Sequence, residues 1–176
     1  ISLRNNFLFY NYQDGSLLSD QTDRSIFEDF LNFSKNTIWQ EKKLNKNMKN
    51  KFLHESVSFY KNKTINRVKL YLKKNNVKDD EHIINGINIP KILTTLDDFD
   101  WEKFYSFLKP VKFHGDPQPE NIIVTKDYRF IYLDWRETYG NNLLFGDIYY
   151  DFGKIYHALI VSGKVIRNNQ FNIIKS

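Results

Sequence analysis

The sequence predicts an α+β fold, a single mainly helical domain with an N-terminal strand and one short β-hairpin. Three observations carry this reading. Apolar residues recur at helical spacing over long stretches before residue 110 and again after residue 147. Two apolar runs, Ile122-Ile123-Val124 and Arg129 to Leu133, flank the tight polar turn Thr125-Lys126-Asp127. An aromatic run, Phe7-Leu8-Phe9-Tyr10, leads into Asp14-Gly15.

Taken in order, Ile1 to Tyr12 reads as a strand and Gln13-Asp14-Gly15 as the turn that ends it. From Thr22 to about Trp39, Ile26, Phe27, Phe30, Leu31 and Phe33 form one face of a helix, with Ser25 and Glu28 at capping-box spacing. Lys42 to Lys74 is predicted helical, with Leu44, Met48, Phe52, Phe59, Tyr60, Val68 and Leu72 facing inward and a break between Lys61 and Thr64. Asn85-Gly86 marks a turn and Pro90 a boundary. Thr95 to Leu108 then carries Leu96, Phe99, Trp101, Phe104 and Phe107 on a short helix that ends before Pro110. Val111 to Phe113 is apolar and leads into a polar loop and the hairpin. Beyond Gly146, residues 148–161 read as a helix, with Asp147 placed to cap its first amides.

Composition excludes several classes. A hydrophobic fraction of 41% with 16% aromatics is that of a globular chain. No run is apolar and long enough for a membrane span, and the first residues do not form a signal peptide. Without cysteine there is no disulfide framework and no thiolate zinc site, which agrees with a cytoplasmic setting. The net charge of +5 comes largely from lysines between Lys42 and Lys78 interleaved with asparagines, a solvated helix surface rather than a nucleic-acid face. Nothing in the sequence speaks to oligomeric state. The chain starts without methionine just before an apolar run, so it reads as a piece of something longer.

The chemistry lies between His114 and Asp151. Phosphoryl transfer needs a carboxylate to orient the attacking hydroxyl and accept its proton, and oxygen ligands to hold Mg²⁺ against nucleotide phosphates. Asp116 stands at the front of the loop His114-Gly115-Asp116-Pro117-Gln118-Pro119-Glu120-Asn121, and Asn121 stands at its end. The hairpin then returns Asp134, in Leu133-Asp134-Trp135, to the end of the sheet where Asn121 begins it.

This pattern resembles the catalytic and metal loops of the aminoglycoside phosphotransferase and choline kinase superfamily, which shares the protein-kinase fold. The protein-kinase loop reads H-R-D-L-x-x-x-N, and Gly115 in place of its Arg points to the small-molecule branch. Gly146-Asp147-Ile148-Tyr149-Tyr150-Asp151 is similar to the Gly-Asp-Pro-x-x-Asp segment that follows the metal loop, and Tyr10 to Leu18 is similar to the adenine hinge. The resemblance implies a C-terminal lobe, with residues 1–18 as hinge strand and turn and 19–176 as the catalytic lobe. It implies Asp116 as catalytic base, Asn121 and Asp134 as Mg²⁺ ligands, and His114 and Asp147 as braces of the loop. Asn11, Tyr12 and Gln13 would lie beside adenine. The activity implied is ATP-dependent transfer of a phosphoryl group to the hydroxyl of a small molecule such as a sugar, amino alcohol or aminoglycoside. The family also needs a Gly-rich phosphate loop and a strand lysine, which these seven scattered glycines do not supply. That lobe is expected upstream of Ile1, and the chain by itself is expected to phosphorylate nothing at a useful rate.

Blander readings stand beside these. Asp151-Phe152-Gly153 spells the protein-kinase metal motif but falls inside a predicted helix and follows no hairpin, so Asp134 is preferred. His54, His82 and His157 have no metal-ligand spacing, and Trp39 and Trp101 read as core. Trp135 could pack the loop or touch substrate. The acids Asp79, Asp80, Glu81, Asp97, Asp98 and Asp100 could meet a cationic substrate, or simply serve solvated loops and helix starts. Two other functions compete: a two-metal phosphohydrolase built on His114, Asp116, Asp134 and Asp147, and a non-catalytic kinase-like binding protein. Protein phosphorylation is disfavoured because the chain has no A-P-E segment.

Overall fold

In chain order the elements are β1 (Ser2–Arg4), β2 (Phe7–Phe9), β3 (Ser16–Leu17), α1 (Arg24–Thr37), α2 (Lys46–Val57), α3 (Lys63–Asn75), β4 (His82–Ile84), β5 (Ile87–Ile89), α4 (Ile92–Asp98) and α5 (Trp101–Ser106). They continue as β6 (Pro110–Val111), β7 (Ile122–Val124), β8 (Phe130–Tyr132), β9 (Gly146–Asp147), α6 (Ile148–Ile160) and α7 (Gly163–Arg167). This computed structural model describes residues 2–4, 7–9, 11–21, 23–141, 145–161 and 163–170. The class is α+β, with helices dominant and the sheets small and antiparallel. Among the described residues no helix is long and apolar enough to cross a membrane.

Two compact units make up the chain: residues 1–40, 111–136 and 148–176 form the first, and 41–110 with 137–147 the second. In the first, β3, β7 and β8 form an antiparallel sheet with Leu17 opposite Ile123 and Ile123 opposite Ile131. Ile122 and Val124 are buried while Ile123 is only partly so, the alternation a strand imposes when one face meets the core. Against that face packs α1. Phe30, with no exposed surface, meets Trp39, Phe130 and Tyr132 at ring-centroid distances of 6.3, 5.7 and 6.2 Å. The predicted helix holds, but its cap is Asp23, which accepts the Ser25 N–H, while Glu28 pairs with Arg24 at 2.7 Å. The capping box fails because Ser25 already lies in the first turn.

The predicted N-terminal strand is two strands, β1 and β2, paired antiparallel with Arg4 opposite Phe7. Asn5 and Asn6, between the two strands in sequence, lie outside the described residues. The predicted 95–108 helix is likewise two helices. Asp100 interrupts them and caps α5 by accepting the Lys103 N–H.

The second unit is mostly helical. The break predicted near Lys61 is a π-helical turn, Ser58–Asn62, that joins α2 to α3 without leaving the helix. Phe52 and Phe59 are buried, and both pack against Tyr139 in tilted pairs, at ring-centroid distances of 5.6 and 4.5 Å. Val68 and Leu72, expected inside, are only half-buried. Asn85 and Gly86, both at positive φ (52° and 75°), form the two-residue turn of the β4–β5 hairpin, whose strands the sequence reading missed. Of the acidic residues, Asp79 accepts the first two amides of α4, from Ile92 and Leu93, so it and Asp100 serve helix starts.

Candidate active site

The loop from His114 to Asn121 and the segment Leu133 to Arg136 all belong to the first unit. Two backbone hydrogen bonds stitch them together: Leu133 N–H donates to Asn121 O at 2.8 Å, and Arg136 N–H donates to His114 O at 2.9 Å. The β7–β8 hairpin makes this possible, because antiparallel pairing of Ile122 with Tyr132 brings the residues just outside each strand to one end. The segments that carry Asp116, Asn121 and Asp134 therefore run side by side at that end. Gly115 adopts φ +86°, and a Cβ there would collide with the Arg136 side chain. Glycine at this position has a local steric reason.

Within the loop, Asn121 Nδ2 donates to the Asp116 carbonyl at 2.9 Å, which leaves Oδ1 as the atom of this amide able to bind a cation. Asp134 sits exposed at φ +54°, in the left-handed region that Asp tolerates better than most residues. These two oxygen donors suit Mg²⁺, which takes one or two protein ligands and keeps its other positions for water and phosphate. Among the described residues no group of three or more His, Cys, Asp or Glu side chains gathers as a metal site.

Asp116 Oδ1 receives two donors, Gln118 Nε2 at 2.7 Å and Lys154 Nζ at 3.0 Å. Partial burial pushes the Asp116 carboxyl up, but Gln118, Lys154 and His114 together outweigh it, and the net shift is downward. The group stands ionised at neutral pH.

His114 is fully buried beneath the loop. Its Nδ1 accepts the Asp116 N–H at 3.1 Å, which puts the proton of the neutral ring on Nε2. Nε2 is buried outside hydrogen-bonding geometry, although the Leu133 carbonyl lies close enough to favour protonation. Trp135 packs its ring 4.7 Å from His114 while 41% of it stays exposed. Burial pulls the His114 pKa from 6.5 down to about 4, against the smaller upward pulls of Leu133, Asp116 and Asp134. Because the folded value lies below the unfolded one, the unfolded chain binds the proton first. Stability from this group is complete above pH 6.5, falls as pH drops toward 4 and levels off below, an overall loss of order 3 kcal/mol. In His114→Asn, whose Oδ1 can replace Nδ1 as acceptor, urea unfolding should lose this slope between pH 6.5 and 4.

The other predicted brace, Asp147, is fully buried in the second unit. Its described bonds come from Tyr60 Oη at 2.7 Å and the Lys109 N–H at 2.9 Å. A residue given no site role in the sequence grips the loop directly. Asp151, on α6 and fully buried, accepts His114 N–H (2.9 Å) and Trp39 Nε1–H (2.9 Å) on Oδ2, and Gly115 N–H (2.7 Å) on Oδ1. The signal was in the Asp147-x-x-x-Asp151 segment, where the second carboxylate falls one helical turn into α6.

The hinge candidates lie elsewhere on the same sheet. Asn11, Tyr12 and Gln13 precede β3, whose pairing with β7 puts them at the turn end of the hairpin, away from Asn121 and Asp134. Tyr12 is 87% exposed, Gln13 Nε2 donates to Asn11 O at 3.3 Å, and the neighbouring Asp14 pairs with Lys126 at 2.7 Å. No family model, no curated protein and no solved structure matches the chain.

Proposed function

We propose that this chain supplies the catalytic and metal-binding half of an ATP- and Mg²⁺-dependent phosphotransferase acting on a hydroxyl of a small molecule. The observation that carries the reading is the pair of backbone bonds, Leu133 to Asn121 and Arg136 to His114, that holds Asp116, Asn121 and Asp134 together at one end of the β7–β8 hairpin. Asn121 Oδ1 and the Asp134 carboxylate would hold Mg²⁺, which when bound neutralises phosphate charge. Asp116 orients the acceptor hydroxyl and takes its proton on the carboxylate.

The far end of the same sheet supports a nucleotide. Leu17, Ile123 and Ile131 form one row across β3, β7 and β8 on the face turned from the core, each partly exposed, an apolar strip on which a planar base can lie. Three strand residues separate the catalytic end from the turn end, about 10 Å at the usual rise, a separation an extended nucleoside triphosphate can bridge. Asn11 to Gln13 flank that turn end, in keeping with an adenine-binding role.

The reading is tested by calorimetric titration of the full-length protein with ATP, with and without Mg²⁺. Wild type should bind in a Mg²⁺-dependent manner, and Asp134→Ala should lose that dependence. Equal Mg²⁺-dependent binding by both proteins would remove Asp134 from the metal site.

A further inference from the structure

Helix α6 reads three consecutive loop residues with two of its side chains, which stand three positions apart on one face. Asp151 takes the backbone amides of His114 and Gly115. Lys154, one turn further along, reaches the side chain of the next residue, Asp116. The helix thus presents an anion to the loop's N–H groups and a cation to its carboxylate.

On the phosphotransfer reading above, we propose that Lys154 is a positioning residue for the catalytic base. It clamps Asp116 Oδ1 together with Gln118 and leaves Oδ2 as the atom that meets the acceptor hydroxyl. The geometry has three parts. Lys154 Nζ and Gln118 Nε2 lie 3.0 and 2.7 Å from the same oxygen, and a carboxylate held by two donors on one oxygen has its second torsion fixed. Only about a quarter of either side chain is exposed, 29% for Lys154 and 25% for Asp116, so the pair is shielded relative to a surface ion pair. Lys154 is itself steered, since its ammonium stands 5.9 Å from the centroid of the Tyr150 ring, which also faces the Arg136 guanidinium at 5.7 Å.

A base free to rotate presents its proton-accepting oxygen only part of the time, and misplacing a reacting group by about an ångström can cost on the order of 10²-fold in rate. Lys154 contributes through Asp116 and need not contact nucleotide. Its loss should therefore lower kcat without weakening ATP.

The test is a double-mutant cycle in the full-length protein. ADP release from MgATP is followed in a mixture of hexoses, amino alcohols and an aminoglycoside, and MgATP affinity is measured in parallel. Lys154→Met should lower kcat by about 10–100-fold with the Kd for MgATP within about twofold of wild type, and Lys154→Arg should recover most of the rate. In an Asp116→Asn background Lys154→Met should cost nothing further, because its effect runs through that carboxylate. Wild-type turnover by Lys154→Met, or a loss that multiplies with that of Asp116→Asn, overturns the inference while leaving the phosphotransfer reading intact. Absence of ADP release by the wild type overturns both.

Discussion

Replacing Asp151 with Ala is expected to lower the unfolding free energy by about 3–5 kcal/mol, with urea denaturation as the measurement. Its fully buried carboxylate accepts three N–H groups, from Trp39, His114 and Gly115. Truncation strips these donors of a partner, and each orphaned buried donor costs about 1–3 kcal/mol, part of which an entering water can recover. Asp151→Asn should fall between the two, since its amide presents one acceptor oxygen and turns a donor toward other donors. The loss also reaches the proposed catalytic loop, because the His114 and Gly115 amides set its start. Phosphoryl transfer should therefore fall in Asp151→Asn even at temperatures where the fold persists.

The second large effect is on rate. On the proposed function, Asp116→Ala should lower phosphoryl transfer by about 10²–10⁴-fold, the usual contribution of a positioned general base. MgATP affinity should change little, because the side chains proposed to hold the metal are Asn121 and Asp134. The Asn121 amide is anchored to the backbone carbonyl of residue 116, which the substitution leaves in place. Asp134→Ala should show the opposite signature, with metal-dependent nucleotide binding lost. The two variants separate a proton-accepting role from a metal-binding one, and assays of ADP formation and of binding read them independently.

What could be read from the sequence follows a physical divide. The hairpin and its flanking loop were legible because strand alternation and a three-residue polar turn are local signals, and antiparallel pairing alone dictates that Asn121 and Asp134 share an end. The helix carrying Asp151 was legible for the same reason. Less legible was that Asp151 grips the loop. That depends on helical phase at the start of α6 and on the placement of Trp39 from a distant stretch, and neither is local. Lys154 illustrates the limit further. In the sequence it is one lysine among many, and only the α6 face shared with Asp151 puts it on Asp116. The error of element division at Asp100 arose where a polar helix-capping residue interrupts an apolar run that looks continuous when only hydrophobic periodicity is scored.

The central claim is most directly tested by measuring ADP formation from MgATP by the full-length protein over a panel of sugars, amino alcohols and aminoglycosides, for wild type, Asp116→Ala and Asp134→Ala. The account predicts Mg²⁺-dependent ADP formation stimulated by at least one acceptor and lost in both variants. Activity that survives both substitutions, or phosphate release that needs no nucleotide donor, would contradict it.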